Sequence, residues 1–210
     1  MARITIASRL AEAALQPPGP GNYRCEQCKR FQGCSTSPFL RGTATNSKKV
    51  KVVFVSEYPT LEECIKRRQF LSPVARLFKE EVILKVGLMP EDVGFVSAVA
   101  CYGAAPTAEQ LRMCGAFAKA SIEAFHPQKV VLLGAEATQA IMQIKSPVLK
   151  DMTSTVYDLC IQPDPVAMIV TYNMRMMLRD LNYVEVLRKH IGTFVNGKMQ
   201  QKIFPELVQI

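Results

Sequence analysis

The sequence predicts an α/β fold, a three-layer α/β/α sandwich around a central four-stranded parallel sheet. Four short β-rich apolar runs recur along the chain, and helix-patterned stretches separate them. Nearly half of the 210 residues (49%) are apolar, enough for one well-packed domain. Strands that alternate with helices need crossover connections, and crossovers put helices on both faces of a parallel sheet.

The first element is a short amphipathic helix over Ile4–Leu15, interrupted by Arg9 and Glu12 and without a signal-peptide cleavage pattern. A turn-rich stretch, Gln16 to Tyr23, leads into an irregular cysteine-containing segment that ends in the basic run Lys48 to Lys51. The strands are Val52–Ser56, Val93–Val99, Lys129–Leu133 and Val166–Tyr172, each bounded by loop residues. Between and after them, helical patterning covers Pro73–Val86, Thr107–Phe125, Glu136–Ile144 and Met176–Ile191. Residues 1–194 form a single domain, and residues 195–210 form a C-terminal tail. Its Ile203, Phe204, Leu207 and Val208 either dock on a replication or repair protein or pack back on the domain.

Lysine and arginine total 26 against 18 acidic residues, and the net charge of +8 draws a polyanion, with nucleic acid first. No uninterrupted apolar run reaches the roughly 20 residues that cross a bilayer, so a soluble, intracellular, cytoplasmic protein with no membrane partner is expected. Seven cysteines without a secretory signal argue for free thiols or metal ligands over a disulfide framework. Phosphate-cradling glycine loops are absent, which leaves a nucleotidase or an NAD enzyme unsupported.

Open α/β sheets bind ligands at the carboxyl ends of their strands. That rule selects four loops: Ser56-Glu57-Tyr58-Pro59, Ser97 to Cys101, Gly134-Ala135 and Thr171 to Arg175. In the cysteine segment, Cys25-x2-Cys28-x5-Cys34 is a local triad suited to zinc or to a cluster with one distant partner.

Taken in order, these loops carry a set of motifs. They are Cys25-x-x-Cys28, Ser56-Glu57-Tyr58-Pro59-Thr60 with Phe70 beyond it, Cys101 then Cys114, Lys129-Val-Val-Leu-Leu-Gly-Ala-Glu-Ala-Thr-Gln139, and Thr171-Tyr172-Asn173 followed by Leu178-Arg179. The set resembles the iron-sulfur-containing family 4 of the uracil-DNA glycosylases, over almost the whole chain after the first helix. The resemblance implies the fold of that superfamily and DNA as partner. It also implies a 4Fe-4S cluster held by Cys25, Cys28, Cys101 and Cys114, with Cys34 left over.

It further implies a base pocket of Ser56, Tyr58, Pro59, Phe70 and Ser97, with Glu57 and Asn173 as catalytic residues. Glu57 either positions water or caps the next helix, and Phe70 either stacks on an extruded base or belongs to the core. Lys66, Arg67, Arg68, Arg175 and Arg179 are the candidate phosphate contacts. Met174, Met176 and Met177 fall where the family inserts an apolar wedge; the other reading makes them the core face of the last helix.

The departures lie in the chemistry. Ser97 stands where the family has an asparagine that reads uracil, and Asn173 replaces a histidine, which removes a titrating group. Ser56 and Thr60 replace glycines, and Tyr58 replaces a small residue, narrowing the expected pocket. His126 and His190 read as structural or solvated. Two functions follow: a glycosylase acting on uracil or another altered base, or an impaired homologue kept as a DNA-binding or replication-associated subunit.

Overall fold

A computed structural model describes residues 23–32, 43–44, 50–153, 155–161 and 165–197. The Ile4–Leu15 helix, Cys34 and tail residues 198–210 lie outside the described residues.

Two one-turn helices, α1 (Tyr23–Glu26) and α2 (Lys29–Gln32), flank the Cys25–Cys28 pair. Six strands form one sheet: β1 (Thr43–Ala44), β2 (Val52–Ser56), β3 (Val93–Ser97), β4 (Lys129–Leu133), β5 (Val156–Leu159) and β6 (Val166–Thr171), in the order β1-β3-β2-β4-β6-β5. The four expected strands are its centre and run parallel, in the order β3-β2-β4-β6. The sheet is larger than the expected four strands because β1 and β5 add an antiparallel edge on either side.

The helices are α3 (Leu61–Lys66), α4 (Pro73–Phe78), α5 (Ala108–Glu123), α6 (Ala135–Met142), α7 (Leu149–Met152) and α8 (Asn182–Val195). The expected helix Pro73–Val86 is not uniform: α4 runs into a π-helical turn, Lys79–Ile83, and a 3-10 turn, Leu84–Val86. The expected Met176–Ile191 helix is likewise split into a 3-10 turn, Met174–Leu178, and α8.

Strand alternation builds the two cores. Val52 and Phe54 of β2, Val131 and Leu133 of β4 and Ile169 of β6 face Val74 and Phe78 of α4 and Leu187 and Ile191 of α8. The alternate residues, Val53, Val55, Val130, Leu132, Met168 and Val170, face Leu111 and Ile122 of α5 and Ala140 of α6. This is the three-layer α/β/α sandwich. Helices α5 and α6 approach so closely that a Cβ on Gly115 would lie 2.2 Å from the Ala140 carbonyl oxygen.

From β2 the chain moves one way to β3, then crosses back to β4 on the other side of β2. Connections leaving in opposite directions open a crevice between the carboxyl ends of β2 and β4, where ligands bind in such sheets.

Candidate active site

At that crevice is a cavity of about 70 Å3, walled in part by Ser56, Glu57, Tyr58, Phe70, Ser97, Leu133, Asn173 and Arg175. Pro59, expected in the pocket, is buried beside it and is not among its lining residues. Backbone bonds hold the rim: Ala98 N donates to Ser56 O at 2.8 Å and Val99 N to Glu57 O at 3.0 Å, joining the loops after β2 and β3.

Glu57 and Asn173, which are 116 positions apart, hydrogen-bond through their side chains. The asparagine is fixed in orientation. Its Oδ1 accepts from Arg175 N at 2.9 Å, so its amide nitrogen is the group that donates to the carboxylate. Gly134, at the start of α6 with φ +97°, lets Asn173 come this near, since a Cβ there would sit 3.0 Å from Asn173 Cβ.

Arg175 Nε pairs with Glu57 Oε1 at 2.7 Å. Burial pushes the Glu57 carboxyl above its usual 4.5; the Arg175 charge opposes that rise, Glu136 adds to it, and the bond from Asn173 opposes it. Two guanidinium groups stand over the Tyr58 ring, Arg30 at 5.1 Å and Arg175 at 5.2 Å from its centroid. Of the alternatives for Glu57, the helix cap is not met. Thr60, not Glu57, is the N-cap of α3, in a capping box with Glu63.

Glu63 also links two walls of the cavity. Its Oε2 accepts from Thr60 N at 2.7 Å and its Oε1 from Leu71 N at 2.8 Å. Between them Phe70 adopts φ +58°, a left-handed conformation costly for a bulky residue. Lys79 Nζ, donating to Phe70 O at 2.8 Å, helps to hold it there. The Phe70 ring is buried, stacks on Phe95 at 4.2 Å and lines the cavity, so it is core and pocket wall at once.

Ser97 does not act alone. Its hydroxyl donates to Gln69 Oε1 at 3.2 Å, and Gln69 is buried next to Phe70. Gln69, Glu63 and Arg30 escaped sequence reasoning. Only Glu63 had a local signal, the Thr60-x-x-Glu63 spacing. His126 is exposed, whereas His190 is half-buried with Nδ1 3.0 Å from Thr171 Oγ1.

Of the nominated cysteines, Cys25 and Cys28 lie close enough to Cys114 to act on its thiol. Burial pushes the Cys114 thiol up to about 12, the Ala100 backbone bond opposes the rise, and Cys25 and Cys28 both act on it as like charges. Cys101 follows Ala100 in sequence, and its carbonyl accepts from Arg30 Nε at 2.8 Å. Among the described residues no three Cys, His, Asp or Glu side chains are arranged to hold a single metal ion.

Of the candidate phosphate contacts, Lys66, Arg67, Arg68, Arg175 and Arg179 are all exposed. Lys66 is tied to Glu62 at 2.7 Å, and Arg67 closes α3 in a left-handed conformation. Of the two readings of the methionines, the core face holds for Met174 and Met177, Met177 with only 1% exposed, because they begin the apolar face that packs on α4 and α8. Met176 is half-buried, and the exposed apolar side chains of the region are Leu178 and Leu181, at 67% and 74%. No described helix is long and apolar enough to cross a membrane.

Comparison with known proteins agrees with this geometry. The chain is 31% identical over 114 residues to a type-4 uracil-DNA glycosylase of Archaeoglobus fulgidus, covering 50% of this chain and 57% of that protein. It is 36% identical over 90 residues to a type-4 uracil-DNA glycosylase of Thermotoga maritima, covering 41% of this chain and 46% of that protein. The chain thus spans about half the length of the curated relatives it matches. The profile of the Uracil DNA glycosylase superfamily matches residues 44–191, a span that runs from the end of β1 into α8 and takes in every wall of the cavity; the chain belongs to that superfamily.

Proposed function

We propose that this chain hydrolyses the N-glycosidic bond of uracil or another altered base in DNA, as a cytoplasmic protein with one domain over residues 1–194. The observation that carries the reading is the hydrogen-bonded approach of Glu57 and Asn173 in a cavity walled by Phe70. In this reading Phe70 stacks on the extruded base. Glu57 orients a water whose oxygen bonds to C1′ as the C1′–N bond breaks, and takes up the proton that water releases. The bonding pair leaves with the base, whose anion accepts a hydrogen bond from the Asn173 amide before protonation by solvent. Lys66, Arg67, Arg68, Arg175 and Arg179 hold phosphates, and Met176 with Leu178 enters the duplex. The C-terminal tail is the proposed docking segment for a replication or repair protein.

Cys25, Cys28, Cys101 and Cys114 are the proposed ligands of a 4Fe-4S cluster. Four thiols from α1, its following turn, the loop after β3 and α5 suit that group, since each thiolate binds a different iron and no single-ion geometry is needed. When bound, the cluster supplies a cross-link that pins the N-terminal segment to the sheet. Each cysteine would bind it as a thiolate, with its proton released to solvent.

A second reading is favoured by one observation: the Glu57 carboxylate is already committed to Arg175 at 2.7 Å. This is how a pocket retired from catalysis and kept for DNA binding would look. An assay for alkali-labile abasic sites in oligonucleotides carrying uracil and a panel of altered bases separates the two. Product that falls with Glu57→Ala supports the glycosylase. Salt-dependent DNA binding without product on any base, unchanged by Asn173→Ala, supports the retired subunit.

A further inference from the structure

Among the described residues, the one buried side-chain nitrogen or oxygen without a hydrogen-bond partner is Arg30 Nη2. Arg30 is half-buried, but an N–H buried without a partner on a cation is costly, which points to a partner of opposite charge. The other nitrogens of this guanidinium are engaged, Nε with Cys101 O at 2.8 Å and Nη1 with Ala104 O. Its Cζ lies over the ring of Tyr58, a wall of the cavity, 5.1 Å from the centroid. Among the described residues no carboxylate forms an ion pair with it.

The surroundings say what that partner is. Arg30 stands two positions after Cys28, grips the backbone of Cys101, and its charge acts on the Cys114 thiol. Three of the nominated cysteines are thereby within its influence, and a thiolate-ligated cluster would bring the surplus negative charge that the site lacks. Net charge and hydrogen bonds to the sulfurs are the features that set the stability and reduction potential of such clusters.

We propose that Arg30 is a positioning residue for the iron-sulfur centre, its free Nη2–H and its charge serving the thiolate-held cluster while its other contacts join that centre to the Tyr58 loop. The inference rests on the cluster reading above. It gives Arg30 two tasks: to offset the charge of the ligands, and to transmit the cluster's placement to the rim of the base pocket.

The test uses the full chain purified without oxygen, with iron and acid-labile sulfide measured, the midpoint potential determined by redox titration, and bleaching of the cluster absorbance followed in air with a chelator. Arg30→Gln removes a positive charge and a donor. It is expected to move the midpoint to a more negative value and speed bleaching several-fold; Arg30→Lys, which keeps the charge and loses the fork, falls between it and wild type. A merely structural side chain would leave the midpoint alone. Should Arg30→Gln fail to fold, Arg30→Lys decides: a midpoint below wild type supports the proposal, and an identical midpoint and bleaching rate overturn it. Wild-type protein that holds a cluster unaffected by either variant refutes the role of Arg30 only, whereas wild-type protein without iron and sulfide refutes the cluster reading and this inference together.

Discussion

Gly134 and Asn173 meet so closely that a side chain on the glycine would press on the asparagine: a Cβ at position 134 would lie 3.0 Å from Asn173 Cβ and 3.1 Å from its amide nitrogen. The φ of +97° adds backbone strain for any other residue. Gly134→Ala is therefore expected to cost about 1–3 kcal/mol of stability, read by thermal melting. It should also lower base release more than tenfold by displacing the amide. Unchanged product formation would show that the Asn173 amide does not need this seat.

Arg175 holds down the pKa of Glu57, which burial has raised. In the proposed mechanism ionised Glu57 is the form that accepts a proton from water, so activity is expected to fall as pH drops through that pKa. Arg175→Gln should shift the acid limb of the pH–rate profile upward, in addition to any weaker DNA binding. A limb that stays in place would exclude Glu57 as the base. The sign for stability is the reverse: the folded chain holds this proton more tightly than the unfolded one, so the contribution of Glu57 falls as pH rises above 4.5.

Glu63 accepts two backbone N–H groups with its two oxygens. Glu63→Gln leaves one of those donors facing an NH2 group, at a cost of about 1–3 kcal/mol. Urea denaturation should register that loss. Base affinity should fall with it, because the Tyr58 and Phe70 walls are no longer tied together.

Leu178 and Met177 are adjacent and opposite in burial. Leu178→Ala should keep the melting temperature and weaken duplex binding about tenfold, the worth of the apolar surface removed. Met177→Ala should instead cost about 2–5 kcal/mol of stability by opening a cavity. Equal duplex affinity for Leu178→Ala and wild type would place the wedge elsewhere.

The parallel core was legible because β2, β3, β4 and β6 are buried on both faces, which makes each a compact apolar run. The edges were not. β1 has two residues, and β5 mixes Asp158 into its apolar positions, so neither rises above a loop in pattern. The loops that carry Glu57, Phe70, Ser97 and Asn173 could be found from the strand-end rule and the motif order. Arg30 could not: its acceptors lie 71 and 74 positions away, and no periodicity encodes such a contact. The methionines stayed open for another reason. Three apolar residues within one turn do not reveal which of them the core will take, and Met174 and Met177 went inward while Met176 stayed half-buried.

Phe70 shows what the strained turn accomplishes. With its ring already stacked on Phe95 and its backbone clamped by Lys79, the aromatic platform is finished when the chain folds. An arriving nucleobase would find no rotamer left to freeze there, and the entropy of ordering that surface is settled before encounter. In the proposed reading this wall selects by shape at first contact, because the Phe70 ring does not move to suit a base that fails to match it.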